Sequence, residues 1–142
     1  MIEKRYLRSI RLLAECMQLF EQASSKRVRA LGLTESQFDI IATLGNTPSM
    51  TCKELGEKTL ITKGTLTGVL ERLEAKGLIQ RDRGEDRRQT FIKLSSAGEA
   101  CFEQTFPEVV SQGRQAFSDY QNEDFEALET QLAKLKATLA KT

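Results

Sequence analysis

The chain has 142 residues, 39% hydrophobic and 29% charged, enough for one domain with a modest core. Only two prolines and nine glycines argue against disorder, and no apolar run approaches membrane-spanning length. The lack of histidine removes the commonest general base and the commonest metal ligand together, while the dispersed cysteines Cys16, Cys52 and Cys101 read as reduced thiols of a cytoplasmic protein rather than a disulfide framework.

Residues 4–31 predict one long helix, because Tyr6, Ile10, Leu13, Met17 and Phe20 recur at intervals of three or four with Lys4, Arg8, Arg11 and Glu15 between them. Gly32 supplies its stop. Thr34-Glu35-Ser36-Gln37 is a capping box that opens a second helix with Phe38, Ile41 and Leu44 inward, and Gly45-Asn46-Thr47-Pro48 closes it. A second box, Thr51-Cys52-Lys53-Glu54, opens a short helix to about Lys58 around Leu55. After a four-residue link, Thr62 is placed as N-cap of a longer helix with Leu66, Val69, Leu70 and Leu73 inward and Gly77 just past its end. Two short helices with a tight joint, the second longer, are the plan of a helix-turn-helix.

LIQRDR, GEDRRQ and TFIKL then predict a β-hairpin, a wing with a charged, glycine-containing turn. Ser95 or Ser96 caps the next helix, with Ser96 and Glu99 forming a third capping box. That helix is expected to reach about Tyr120 with Phe102, Phe106, Val109, Val110 and Phe117 on one side, and to kink or split at Pro107. Asn122 is expected to cap a last helix whose Phe125, Leu128, Leu132, Leu135 and Leu139 form a heptad-like seam. The expected fold class is mainly α with a small β-hairpin wing. A winged helix-turn-helix lobe spans about 34–95, and the helices of about 1–31 and 96–142 carry apolar faces that the lobe is too small to cover. Two chains are therefore expected to interlock these helices as a symmetric homodimer, the whole of 1–142 acting as a single domain.

Charge is unevenly placed. Residues 51–93 carry ten basic and seven acidic side chains, a net of +3, whereas residues 94–142 carry four and eight, a net of −4. A basic centre with an acidic tail suits a module whose middle faces phosphate.

TLTGVLERLEAKGLI, the wing-tip Asp86-Arg87-Arg88 and the strand-to-helix passage IKLSSAG stand in register, and together they resemble the core of the MarR family of bacterial transcription regulators. Flanking helices of suitable length extend the resemblance over essentially the whole chain. It implies a homodimer with interdigitated terminal helices and two winged lobes. It also implies a sequence-specific regulator, a repressor in many members, released from DNA when a small anionic or phenolic ligand or an oxidant acts near the junction of lobe and dimer helices. One departure lies in the turn, where Leu60 occupies the position at which many helix-turn-helix proteins place glycine. A leucine at positive φ is costly, so the turn is expected to avoid that conformation.

The recognition helix offers Thr62, Lys63, Gly64, Thr65, Thr67, Gly68 and Arg72 to a major groove. Gly64 and Gly68 lie four apart on one face and allow close backbone approach, which would explain two helix-weakening residues there. On the wing, Arg87 and Arg88 can enter a minor groove; the resemblance favours Arg88 for insertion, with Asp86 orienting a wing arginine and Arg81, Arg83 and Lys93 tracking the backbone. A solvated charge cluster is the bland alternative, and a winged helix that binds a protein partner is the strongest rival. That rival needs neither paired glycines nor two wing arginines.

An enzyme is not expected, since no nucleophile–base pair, phosphate cradle or placed carboxylate pair is present. No metal and no cofactor are expected. Cys52 lies in a helix's first turn, where a thiolate is favoured, while Cys16 and Cys101 read as small core side chains. By the resemblance, a peroxide sensor would carry its cysteine around Ile10 and a tyrosine where Phe38 stands, so redox sensing is disfavoured. An effector of unknown identity would use a pocket between the first helix, the second helix and the start of the fifth helix, to which Tyr6, Arg11, Met17, Lys26 and Phe38 could contribute, each of which reads equally as core or surface.

Overall fold

A computed structural model of the protein describes residues 2–86 and 88–142. The elements in chain order are α1 (Ile2–Ala30), α2 (Glu35–Leu44), β1 (Met50–Thr51), α3 (Cys52–Thr59), α4 (Lys63–Ala75), β2 (Ile79–Arg83), β3 (Thr90–Leu94), α5 (Ser96–Ala116) and α6 (Asn122–Leu139). The fold is mainly α, with a three-stranded antiparallel sheet in the order β1-β3-β2. Strand β1 has no signature in the sequence, because two residues cannot show alternation. It forms where Met50 and Thr51 meet Ile92 and Phe91, so Thr51 is at once a strand residue and the N-cap of α3.

Contacts divide the chain between Val109 and Val110, inside α5. The first unit holds the core. Ile40, Ile41 and Leu44 of α2, Leu55 of α3 and all four inward residues of α4 are buried with Ile79, Ile92 and Leu94 of the wing strands. This core extends past the lobe expected at 34–95, since Val28 of α1, Leu33 and Phe102 of α5 are also buried in it. Phe102 seats its ring where a side chain on Gly45 would stand, which explains a glycine whose φ of −58° needs none.

The capping box of α2 forms as expected: the Gln37 backbone N–H donates to Thr34 Oγ1 and the Thr34 N–H to Gln37 Oε1, each at 3.1 Å. Gln37 is buried, and its Oε1 also accepts from Lys76 Nζ at 3.2 Å, while Lys76 reaches the Gly32 carbonyl at 3.4 Å. Lys76 caps the C-terminal end of α4, so one ammonium ties α4 to the α1–α2 turn.

The third capping box takes a different form. Ser95, not Ser96, caps α5: its Oγ accepts from the Gly98 N–H at 3.1 Å and donates to the Gly77 carbonyl at 2.6 Å, while its N–H donates to Leu78 O at 3.0 Å. The reason is tertiary, since only Ser95 reaches the two carbonyls left by the turn after α4. Gly98 has no side chain because the Leu78 carbonyl occupies that space. Pro107 does not split α5, which is continuous but ends at Ala116 rather than near Tyr120. Pro107 and Glu103, whose carbonyl loses its helical donor, are both exposed, so water can replace the missing bond.

In the second unit α6 is capped by Gln121 rather than Asn122, the Gln121 N–H donating to Asp124 Oδ2 at 2.8 Å. Phe117, Tyr120 and Phe125 form an aromatic cluster with ring centroids 5.0–5.8 Å apart. No residue of α6 is buried. Among the described residues no helix is long and apolar enough to cross a membrane.

Candidate nucleic-acid interface

Helices α3 and α4 form the helix-turn-helix. The capping box of α3 is present, with Glu54 N–H on Thr51 Oγ1 at 3.2 Å and Thr51 N–H on Glu54 Oε1 at 3.3 Å, and Leu55 anchors the helix in the core. The turn corrects the expectation made for it: Leu60 adopts the left-handed conformation, φ +61° and ψ 15°. Its N–H donates to the Gly56 carbonyl at 3.0 Å, ending α3, and the next residue, Ile61, turns onto the core. Reversing the chain in so few residues while burying Leu55 and packing the half-buried Ile61 against the core outweighs a left-handed cost of about 1–2 kcal/mol.

On α4 the buried side is Leu66, Val69, Leu70 and Leu73. Thr62, Lys63, Gly64, Thr65, Thr67 and Arg72 are exposed on the other side and Gly68 is half-exposed. Thr62 has the extended N-cap backbone but makes no side-chain cap; its hydroxyl donates to Thr65 Oγ1 at 3.2 Å. The first N–H groups of α4 therefore keep their capacity for an external acceptor. Thr67 Oγ1 donates back to Lys63 O at 3.3 Å, leaving its lone pairs and methyl outward. A methyl added at Gly64 or Gly68 meets no atom within 4 Å. Neither glycine is needed by the fold.

Strands β2 and β3 pair from Ile79↔Leu94 to Arg83↔Thr90 and lead to the wing tip. Gly84 lies under the Phe91 ring, 2.7 Å from where a Cβ would be, and its N–H closes the hairpin on Gln89 O at 3.1 Å. Asp86 Oδ1 accepts the backbone N–H of Arg88 at 3.0 Å, so its carboxylate shapes the turn through the backbone instead of pairing with the Arg88 guanidinium. A backbone donor two residues away satisfies the carboxylate without fixing a long side chain. Arg87 lies outside the described residues. Arg83 and Arg88 are exposed.

Two basic residues expected to track the backbone are engaged internally. Arg81 Nε stands 3.5 Å from Glu74 Oε1 and braces the wing against α4, and Lys93 Nζ stands 3.4 Å from Asp82 Oδ2. Between α3, α4 and the wing opens a cleft of about 740 Å³, whose charged lining among the described residues is Lys53, Lys63, Arg81 and Arg88 against Glu57. Lys53 and Glu71 were missed by sequence reasoning. Lys53 looked like a capping-box filler, and only the fold sets it beside the wing. Glu71 is exposed three residues after Gly68, on the same side of α4, where a carboxylate can accept from a cytosine amino group and repels phosphate.

The remaining candidates do not assemble. Tyr6 and Lys26 stand on one continuous helix, about 30 Å apart by the helical rise, so one chain cannot bring them into a common pocket. Arg11 pairs with Glu15 at 3.4 Å, and Phe38 is half-buried against the core. Cys52 and Cys101 pack on the core margin, but Cys16 is exposed in the isolated chain rather than buried. Among the described residues no group of three Cys, Asp or Glu could hold a metal ion. Asp39 of α2 has its carboxyl raised above the ordinary 3.8, first by desolvation and then by the charge of Glu35.

Comparison with known proteins gives the lineage. The sequence pattern of the MarR family matches residues 33–90, which take in α2, the helix-turn-helix and the wing up to the start of β3. An uncharacterized HTH-type transcriptional regulator of Bacillus cereus is 33% identical over 119 residues, 84% of this chain and 77% of that one. The homoprotocatechuate degradative operon repressor of Escherichia coli is 30% identical over 102 residues, 71% of this chain and 69% of that one. The fold is similar to that of AbsC, a MarR family transcriptional regulator from Streptomyces coelicolor, with a TM-score of 0.85 and 25% identity over 94% of this chain and 93% of that one. With its helix-turn-helix, its wing and these relatives, the chain belongs to the MarR family of DNA-binding transcriptional regulators.

Proposed function

We propose that the protein is a repressor that binds an inverted-repeat operator as a homodimer, α4 entering the major groove and the wing the adjacent minor groove. The observation that carries this reading is the glycine pair of α4. Gly64 and Gly68 weaken the helix and relieve no contact in the free protein, so their benefit lies in a bound state in which another backbone comes close. Thr62, Lys63, Thr65, Thr67 and Arg72 surround that approach with hydroxyls and charge, and Arg88 with Arg83 and Lys53 supplies cations toward phosphate and the minor groove. Arg87 joins this set by its position in the sequence. The homodimer is supported by the apolar faces of α1 and α6, exposed in the isolated chain. Repression is supported by the operon repressor among its relatives. A small-molecule effector belongs to the proposal by family likeness, acting on a regulator that works in the cytoplasm beside the chromosome.

Selection of bound sequences from a random duplex pool tests the reading. The expected product is an inverted repeat with half-sites about 10 base pairs centre to centre. On that duplex Arg88→Ala is expected to cost about 1–3 kcal/mol of binding at fixed salt. Recovery of no sequence, with no salt-dependent binding of random duplex, would overturn the proposal in favour of a protein-binding winged helix.

A further inference from the structure

The fold requires a left-handed backbone at position 60 but does not require a leucine there. Leu60 lies in the left-handed region at φ +61°, where a leucine is strained and a glycine is not, and its side chain is 86% exposed. Folding alone favours glycine at position 60 and alanine at positions 64 and 68. The chain carries the reverse at all three, within nine residues. Leu60 also faces outward where the interface begins: Ile61 turns onto the core, while Thr62, Lys63, Gly64 and Thr65 continue the exposed surface into the first turn of α4.

We propose that Leu60 is a DNA-contact residue whose isobutyl group packs against apolar atoms at the mouth of the major groove, either deoxyribose carbons or a thymine methyl. The proposal rests on the DNA-binding reading above and deepens it. The side chain stands exposed two residues before Thr62, and the duplex covers the apolar surface that the free protein leaves in water. An apolar contact of this kind adds affinity without adding a phosphate neutralisation.

The test is titration of the duplex selected by the wild-type protein with Leu60→Asn, Leu60→Gly and Leu60→Met, alongside thermal melting of each. Asparagine and glycine both tolerate the left-handed backbone, so these variants are expected to melt at or above the wild-type temperature. Loss of a leucine half-covered by the duplex in each of two lobes predicts binding about tenfold weaker or more for Leu60→Asn and Leu60→Gly, whereas Leu60→Met retains affinity within about threefold. The slope of log affinity against log salt is expected to stay unchanged. Replacing thymine by uracil in the duplex separates the two sources of apolar contact. Selective weakening of wild type assigns the contact to a methyl, and equal binding assigns it to sugar. Wild-type affinity in stable Leu60→Asn and Leu60→Gly would overturn the role of Leu60 alone. A reduced salt slope would do the same by tracing the loss to displaced phosphate contacts, and a wild-type protein that selects no duplex would overturn the DNA-binding reading itself.

Discussion

At Gly64 and Gly68 the helix penalty relative to alanine is about 1 kcal/mol each, and an added methyl meets nothing. Gly64→Ala and Gly68→Ala are therefore expected to raise unfolding free energy by up to about 1 kcal/mol each while weakening operator binding. Chemical denaturation and duplex titration read the two effects separately, and unimpaired binding by both variants would remove close backbone approach from the mechanism. Asp39 offers a different residue-level test. Its raised carboxyl binds protons more readily folded than unfolded, so its ionised form is a burden at neutral pH that is relieved as pH falls through the raised value above 3.8. Asp39→Asn should match or exceed wild-type melting temperature at pH 7, and should lack the stabilisation that wild type draws from Asp39 on acidification; an unchanged difference between the two at all pH values would contradict this. The inward quartet of α4 was legible because spacing alone determines a helix face. The backbone of Leu60 was not, because local propensity opposes it and only the packing of buried Leu55 and half-buried Ile61 on either side imposes it.

Among the elements, what could be read depended on how far each determining contact reached. The boxes at Thr34 and Thr51 close between residues three apart, and both formed as expected. The cap of α5 depends on carbonyls at Gly77 and Leu78, well removed in sequence, and the pairing of β1 with β3 spans about forty residues; neither leaves a local pattern. Ser95 and Gly98 together clasp α5 onto the turn between α4 and β2. Ser95→Ala removes a cap and a second hydrogen bond and is expected to cost about 1–2 kcal/mol of stability. Gly98→Ala drives a methyl into a backbone carbonyl that cannot rotate away, and is expected to cost about 2–3 kcal/mol or more. Urea denaturation gives both values, and a neutral Gly98→Ala would show that the clasp is loose. Because α4 and the wing meet at this turn, the same variants should disturb DNA binding more than their stability loss alone requires.

Across the whole molecule, apolar side chains that no single chain covers are spread along α1 and α6: Tyr6 is 62% exposed, Met17 51%, Leu132 39% and Leu139 53%. The proposed homodimer would bury them, so melting temperature is expected to rise with protein concentration. Leu132→Asp is expected to sediment as a monomer and to lose most operator affinity, because two linked half-site contacts become one. A dimeric Leu132→Asp with intact binding would place the interface away from α6. The general plan of helices and wing was legible because periodicity and capping are properties of the chain itself.

Phe102, seated against Gly45, means that the lobe shares its interior with the arms that flank it. A segment cut at 34 and 95 would leave a slot the size of a benzene ring and forfeit Val28 as well. The transplantable unit for building chimeric regulators is therefore longer, from before Val28 to beyond Phe102. By the same constraint, a lineage that drifts in the arm bearing Phe102 must drift in step at Gly45, which makes the two positions a pair expected to change together.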